Sequence, residues 1–165
     1  MSREATADES QILAALGGVP LFAGLGKRDL RRIAGASTIA HVPAGHHIVR
    51  EGFSAEAFYV ILEGVAGVTG PAATTHLRPG DFCGELGLLD GSPRSASVLA
   101  ETEVVAVRLP RREFLELVDR RPEIARTLLA DLAARVRRLE ASLRKRDVRK
   151  PQDSGRILDE SGGIR

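Results

Sequence analysis

Between Ser37 and Leu109, short runs rich in β-branched and aromatic residues alternate with glycine and proline. The runs are Ser37–Val42, His47–Val49, Ala57–Leu62, Val65–Thr69, Thr74–Leu77, Ala96–Ala100 and Val104–Leu109. Turn signals separate them at Pro43-Ala44-Gly45, Gly52, Gly64, Gly70-Pro71 and Pro79-Gly80. Helix-breaking residues at this spacing exclude long helices. Many short strands at this spacing predict an antiparallel barrel or sandwich.

The flanks have a different texture. Residues 1–9 are polar and non-periodic and read as a mobile, disordered tail. Residues 10–36 place Ile12, Leu13 and Leu16, then Leu30, Ile33 and Ala34, at helical spacing. Gly17, Gly18 and Pro20 interrupt that pattern, which predicts two short helices around a turn, with Phe22 and Leu25 plugged into a core. After the barrel (residues 37–110), helical spacing returns over residues 111–149. A short helix is expected at Arg111–Asp119 and a longer one from Pro122 to about Arg146, with Pro122 in the first turn, where a helix tolerates it. Residues 150–165 are Gly/Ser-rich and read as a second disordered tail. The expected fold class is mainly β with flanking helices: a jelly-roll β-barrel with N-terminal helices and a long C-terminal helix, one domain over residues 10–149.

Composition agrees with a single soluble domain. The chain has 165 residues, 43% hydrophobic and 28% charged, with a net charge of +2. Its basic residues are 21 Arg against 3 Lys, a compositional bias rather than a functional sign. One cysteine excludes an internal disulfide framework and suits a reducing compartment. No apolar run reaches the roughly 20 residues a membrane helix needs. The start MSREATADES lacks a signal-peptide pattern. These features predict a cytoplasmic protein.

Between two expected strands lies Gly80-Asp81-Phe82-Cys83-Gly84-Glu85-Leu86-Gly87-Leu88-Leu89-Asp90-Gly91-Ser92-Pro93-Arg94-Ser95-Ala96. Gly84 permits close backbone approach or an unusual φ/ψ. Glu85 opens an apolar segment, Leu86 to Leu89, that can form one helical turn with free N–H groups. Arg94 supplies a fork-shaped cation suited to phosphate oxygens. Ser95 and Ala96 are small enough to bring their backbone N–H groups close as well. A phosphate would repel Glu85, but sugar hydroxyls could donate to it. The segment therefore suggests a ligand with both a ribose hydroxyl and a phosphate. The bland alternative makes Gly84 and Pro93 turn residues and Glu85–Arg94 a surface ion pair, although a partly buried pair without a ligand is no obvious stabiliser.

This segment resembles the phosphate-binding cassette of cyclic nucleotide-binding domains, as in the bacterial catabolite activator and the protein kinase A regulatory subunit. Outside it, Val19-Pro20-Leu21-Phe22-Ala23-Gly24-Leu25 resembles the family's N-terminal helical segment. Gly45, Gly52 and Phe58-Tyr59-Val60-Ile61-Leu62-Glu63-Gly64 resemble its first barrel strands. The resemblance covers roughly residues 19–147. It implies that Glu85 accepts the ribose 2′-hydroxyl, that Arg94 pairs with the cyclic phosphate, and that Gly84, Ser95 and Ala96 complete the cradle, with Leu86 beside them. In cyclic-GMP-binding members a hydroxyl residue right after the cassette arginine can reach the guanine amino group, and here that residue is Ser95. Catabolite activators also look like Arg-Ser at this place, so Ser95 does not decide the base. The reading favours cyclic AMP over cyclic GMP as the ligand, with no further cofactor.

Along the last helix Ala125, Leu129, Leu132, Val136, Leu139 and Leu143 step by 4, 3, 4, 3 and 4. This is a heptad seam with Leu129, Val136 and Leu143 at a and Ala125, Leu132 and Leu139 at d. In a parallel pair Arg135 at g would face Glu140 at e of the other chain. The alternative is an amphipathic helix packed on its own barrel. The resemblance favours a homodimer through this helix and makes Arg135 a further ligand contact. It also expects hydroxyl residues where this chain has Leu139 and Glu140, so base recognition would pass to the apolar cap or to Ser142.

Residues 135–150 hold eight basic and two acidic side chains without aromatic interleaving, which reads as a solvated helix end rather than a nucleic-acid or lipid surface. The stretch after residue 150 is too short for a DNA-binding domain. His41, His46, His47 and His76 lack the same-face spacing of a barrel metal site, since adjacent His46 and His47 point to opposite faces of a strand. Cys83 reads as a small buried thiol. No catalytic constellation is placed. The expected function is a stand-alone cyclic nucleotide sensor or regulatory module, not an enzyme, whose C-terminal helices move on binding and which acts on an unidentified effector protein. The rival is a ligand-independent dimerisation module with the same fold.

Overall fold

Among the described residues, eight strands form two four-stranded sheets in which each neighbouring pair is antiparallel, ordered β1-β8-β3-β6 and β2-β7-β4-β5. The strands are β1 (Thr38–Val42), β2 (His47–Val49), β3 (Ala57–Glu63), β4 (Ala66–Thr69), β5 (Thr75–Leu77), β6 (Phe82–Cys83), β7 (Ser97–Ala100) and β8 (Val104–Pro110). The computed structural model describes residues 2–70 and 75–149. The expected tail at residues 150–165, and residues 71–74 within the expected turn and strand start, lie outside the described residues. The strands follow the punctuation of the sequence to within a residue or so. The exception is β6, which the sequence does not announce: two residues cannot display a period of two.

The described residues also form five helices, α1 (Ser2–Gly17), α2 (Lys27–Ala36), α3 (Glu85–Asp90), α4 (Arg111–Arg120) and α5 (Pro122–Arg149), with a 3-10 turn at Pro20–Phe22. The first helix begins at Ser2, inside the stretch expected as a tail. No glycine or proline interrupts residues 2–16, and Glu4, Ala5, Ala7, Glu9 and Gln11 favour helix whatever their polarity. The chain divides into two units, residues 1–129, which contain both sheets, and residues 130–165.

Strands β3 and β8 separate two apolar clusters, and their alternation assigns each side chain to one of them. Phe58 and Val60 on β3, with Val107 and Leu109 on β8, face a cluster built with Ile12, Leu16, Phe22, Leu25, Ile33, Leu88, Phe114, Ile124 and Leu128. Ile61, Val104 and Ala106 face the other cluster, with Val49, Ala66, Leu77, Cys83, Val98 and Ala100. Both strands are therefore buried on both faces, which explains their unbroken apolar runs. Phe58 stacks on Phe114 at 4.6 Å between ring centroids and meets Phe82 at 5.4 Å. Full burial of the Phe58 and Phe114 rings stabilises the fold by about 1.5–3 kcal/mol each. Phe22 and Leu25 sit in the core, as their place at the helix break predicts.

Helix α5 departs from the expected seam at its start. Among its described side chains the buried ones are Ile124 and Leu128, each one residue before the seam positions Ala125 and Leu129. Leu129 is 65% exposed, Val136 54% and Leu143 59%, and Leu139 is also exposed. Leu132 is half-buried. No helix among the described residues is long and apolar enough to cross a membrane.

Candidate functional site

The site is built where β6 turns into α3. Gly84 is the N-cap of α3 with φ 94°, a left-handed conformation that an L side chain rarely adopts. A Cβ there would also stand 2.5 Å from Arg94 Nη1 and 3.0 Å from the Ala57 carbonyl oxygen. Only glycine satisfies both demands. The following Glu85 opens α3 and is 2% exposed. Gly91 closes this helix, again left-handed, and the Ser92 N–H donates to Asp90 Oδ1 at 2.9 Å. That hydrogen bond holds the Asp90 carboxyl below its ordinary range.

Arg94 is 7% exposed. Its Nη1 donates to the Gly84 carbonyl at 2.7 Å and its Nη2 to the Ala57 carbonyl at 2.6 Å. The guanidinium thus ties the cassette to the start of β3. Its main chain is held as well: Gly52 N–H donates to Arg94 O at 2.9 Å, and Arg94 N–H donates to Phe53 O at 2.8 Å. Burial pushes the guanidinium below the usual arginine range, opposed by Cys83, Tyr59, Glu85 and Glu56 nearby. An arginine still stays charged in such a place, because its ordinary pKa lies so high. An arginine has five N–H donors in a fixed fork, more than the two carbonyls engage, so Arg94 has the capacity to bind an anion in addition.

Gly84, Glu85 and Arg94 are therefore brought together, and both charged members are buried rather than forming the surface pair of the bland reading. Ser95 is exposed and Ala96 half-buried in the segment leading to β7; Leu86 is exposed on α3. Arg135 lies in the second unit, where its Nε meets Asp131 Oδ2 at 2.7 Å, one turn away on α5. Two contributors escaped the sequence reading. The loop Gly52–Phe53 holds the Arg94 main chain, and the Ala57 carbonyl receives its side chain. Main-chain partners leave no residue-type signal, although Gly52 marks the turn. Among the described residues no group of three or more His, Cys, Asp and Glu side chains could hold a metal ion.

The pattern of the cyclic nucleotide-binding domain matches residues 39–121, from β1 through the cassette to the end of α4. The chain belongs to that family. The domain is 41% identical over 118 residues to a cyclic nucleotide-gated potassium channel of Rhizobium etli, covering 72% of this chain and 32% of the channel. It is 42% identical over 105 residues to a cAMP-dependent protein kinase regulatory subunit of Aspergillus fumigatus, covering 61% of this chain and 25% of that subunit. The match thus spans a third or less of either relative. Among solved structures, the catabolite activator protein of Thermus thermophilus superposes with a TM-score of 0.67 at 29% identity, covering 78% of this chain and 63% of that one. The jelly-roll fold with flanking helices is common to them.

Proposed function

We propose that this domain is a cyclic nucleotide sensor that takes cyclic AMP in preference to cyclic GMP and answers by shifting its C-terminal helices. The observation that carries the reading is the buried Arg94, a cation fixed by the Gly84 and Ala57 carbonyls rather than by a surface counter-charge. A cyclic phosphate would pair with the guanidinium, while the N–H groups of Gly84, Ser95 and Ala96 complete the cradle beside Leu86. Glu85, acceptor-only when ionised, would take the ribose 2′-hydroxyl. Neutralising Arg94 would favour the arrangement of the C-terminal helices that binds ligand better, and Arg135 would add a second contact. The preference for cyclic AMP draws support from the kinase regulatory subunit among the relatives. No further cofactor is needed, and the output is a contact with an effector protein.

The exposed apolar positions Leu129, Val136, Leu139 and Leu143 favour a companion reading, a parallel homodimer through α5. A dimerisation module that ignores nucleotide is the rival. Calorimetric titration of nucleotide-stripped protein separates the two. Saturable binding of cyclic AMP at micromolar affinity or tighter, with weaker cyclic GMP, is expected. No heat and no thermal shift with either ligand would sink the sensor and leave the dimerisation module.

A further inference from the structure

The carbonyls of Ala55, Glu56 and Ala57, three in succession where the chain enters β3, are all taken by two arginines. Arg94 Nη2 holds Ala57 O at 2.6 Å. Arg111, the first residue of α4, takes the other two: its main-chain N–H donates to Glu56 O at 2.9 Å and its Nη1 to Ala55 O at 3.3 Å. The same two side chains also hold both ends of the first turn of α3. Arg94 Nη1 reaches Gly84 O at 2.7 Å and Arg111 Nη1 reaches Gly87 O at 3.4 Å. Each guanidinium therefore bridges the start of β3 to the cassette helix, one from within the cassette and one from α4.

The backbones between the two bridges are in close contact. A Cβ on Gly87 would stand 2.8 Å from the Ala55 Cβ and 2.6 Å from the Ser92 carbonyl oxygen. With so little slack, a shift of α3 moves Ala55 and Gly87 together, and the shared Arg111 guanidinium moves with them. Because Arg111 opens α4, any displacement of the cassette reaches that helix through main-chain and side-chain bonds at once.

The geometry points to Arg111 as a positioning residue that couples the cassette to α4, so that occupancy at Arg94 is felt by the C-terminal helices. Arg111 touches no ligand in this scheme. It sets the distance between α3 and β3 that Arg94 spans from the other side, and it relays a change in that distance. The inference rests on the sensor reading above and names the device by which that sensor would report.

The test compares wild type, Arg111→Met and Arg111→Lys by cyclic AMP calorimetry and by amide hydrogen exchange with and without cyclic AMP. In wild type, cyclic AMP should slow exchange in residues 84–96 and also in α4. Arg111→Met should still bind, five- to tenfold more weakly, with protection kept in residues 84–96 and lost in α4. Arg111→Lys, a cation whose shorter side chain ends before the place of the single Nη1 that meets both carbonyls, should recover part of the α4 response; it also serves as the readout if Arg111→Met does not fold. A full α4 response in Arg111→Met, or one in Arg111→Lys no smaller than wild type, would overturn the coupling while leaving the sensor intact. Absence of binding by wild type would overturn the sensor and the coupling with it.

Discussion

Arg94 bars any larger residue from the position of Gly84: the guanidinium donates to the Gly84 carbonyl at 2.7 Å and occupies the space a Cβ would need. The backbone at Gly84 is left-handed as well, so strain and collision act together. They can be separated experimentally.

Gly80 has φ 93°, nearly that of Gly84, but nothing lies within 4 Å of a Cβ built there. Gly80→Ala should register conformational strain alone, lowering stability by about 1–3 kcal/mol and leaving cyclic AMP affinity near wild type. Gly84→Ala should add the displacement of Arg94 and weaken affinity at least tenfold. Urea unfolding and calorimetry on both variants read the two effects. Equal affinities in the two variants would show that the Gly84–Arg94 contact does not shape the ligand site.

Arg94 has two roles that substitution can divide. Arg94→Ala leaves the Gly84 and Ala57 carbonyls without their donors, at a cost of about 1–3 kcal/mol for a buried group left unsatisfied. It should also weaken cyclic AMP binding at least tenfold. The two buried hydrogen bonds are what add a stability effect to the affinity effect. Arg94→Lys can restore a donor to one carbonyl but not the fork, so stability should recover more than affinity. Parallel recovery of both would argue against a specific role for the guanidinium shape.

How far the site was legible depends on what each residue contributes. Gly84, Glu85 and Arg94 stood out because their function lies in residue type and spacing, which a sequence displays. Ala55, Ala57 and Phe53 contribute carbonyl oxygens, which every residue possesses, and nothing in the sequence distinguishes them. Arg111 opens an amphipathic helix like many surface arginines, and its bonds to Ala55 and Gly87 exist only after folding. The barrel was legible because glycine and proline bound its strands, whereas β6 is too short to show a period. On α5 the heptad steps drew attention from Ile124 and Leu128, which a second, overlapping 4-residue step carries into the core.

Phe114 joins α4 to β3 by stacking on Phe58 within the larger cluster. Phe114→Ala should destabilise by about 3–5 kcal/mol, the range for a large aromatic deleted from a packed core. Phe114→Leu should cost less, because it retains most of the apolar volume. Denaturant midpoints at constant m-value measure both. Near-neutral behaviour of Phe114→Ala would mean that α4 contributes little to holding the sheets, and would weaken the case for α4 as the receiving end of the Arg111 relay.

Val136 and Leu143 occupy successive a positions on α5 and are more than half exposed in the single chain. Changing exposed side chains away from caps and buried pairs alters folding by no more than about 0.5 kcal/mol. Val136→Asp with Leu143→Asp should therefore leave a monomer's fold and thermal midpoint in place. In a parallel pair the same carboxylates would face their copies across the seam, desolvated and like-charged, and Arg135 would lose the register that brings it to Glu140 of the other chain. Sedimentation equilibrium should accordingly find wild type as a concentration-dependent dimer and the double variant as a monomer. A monomeric wild type, or a double variant of unchanged mass, would exclude this helix as the seam.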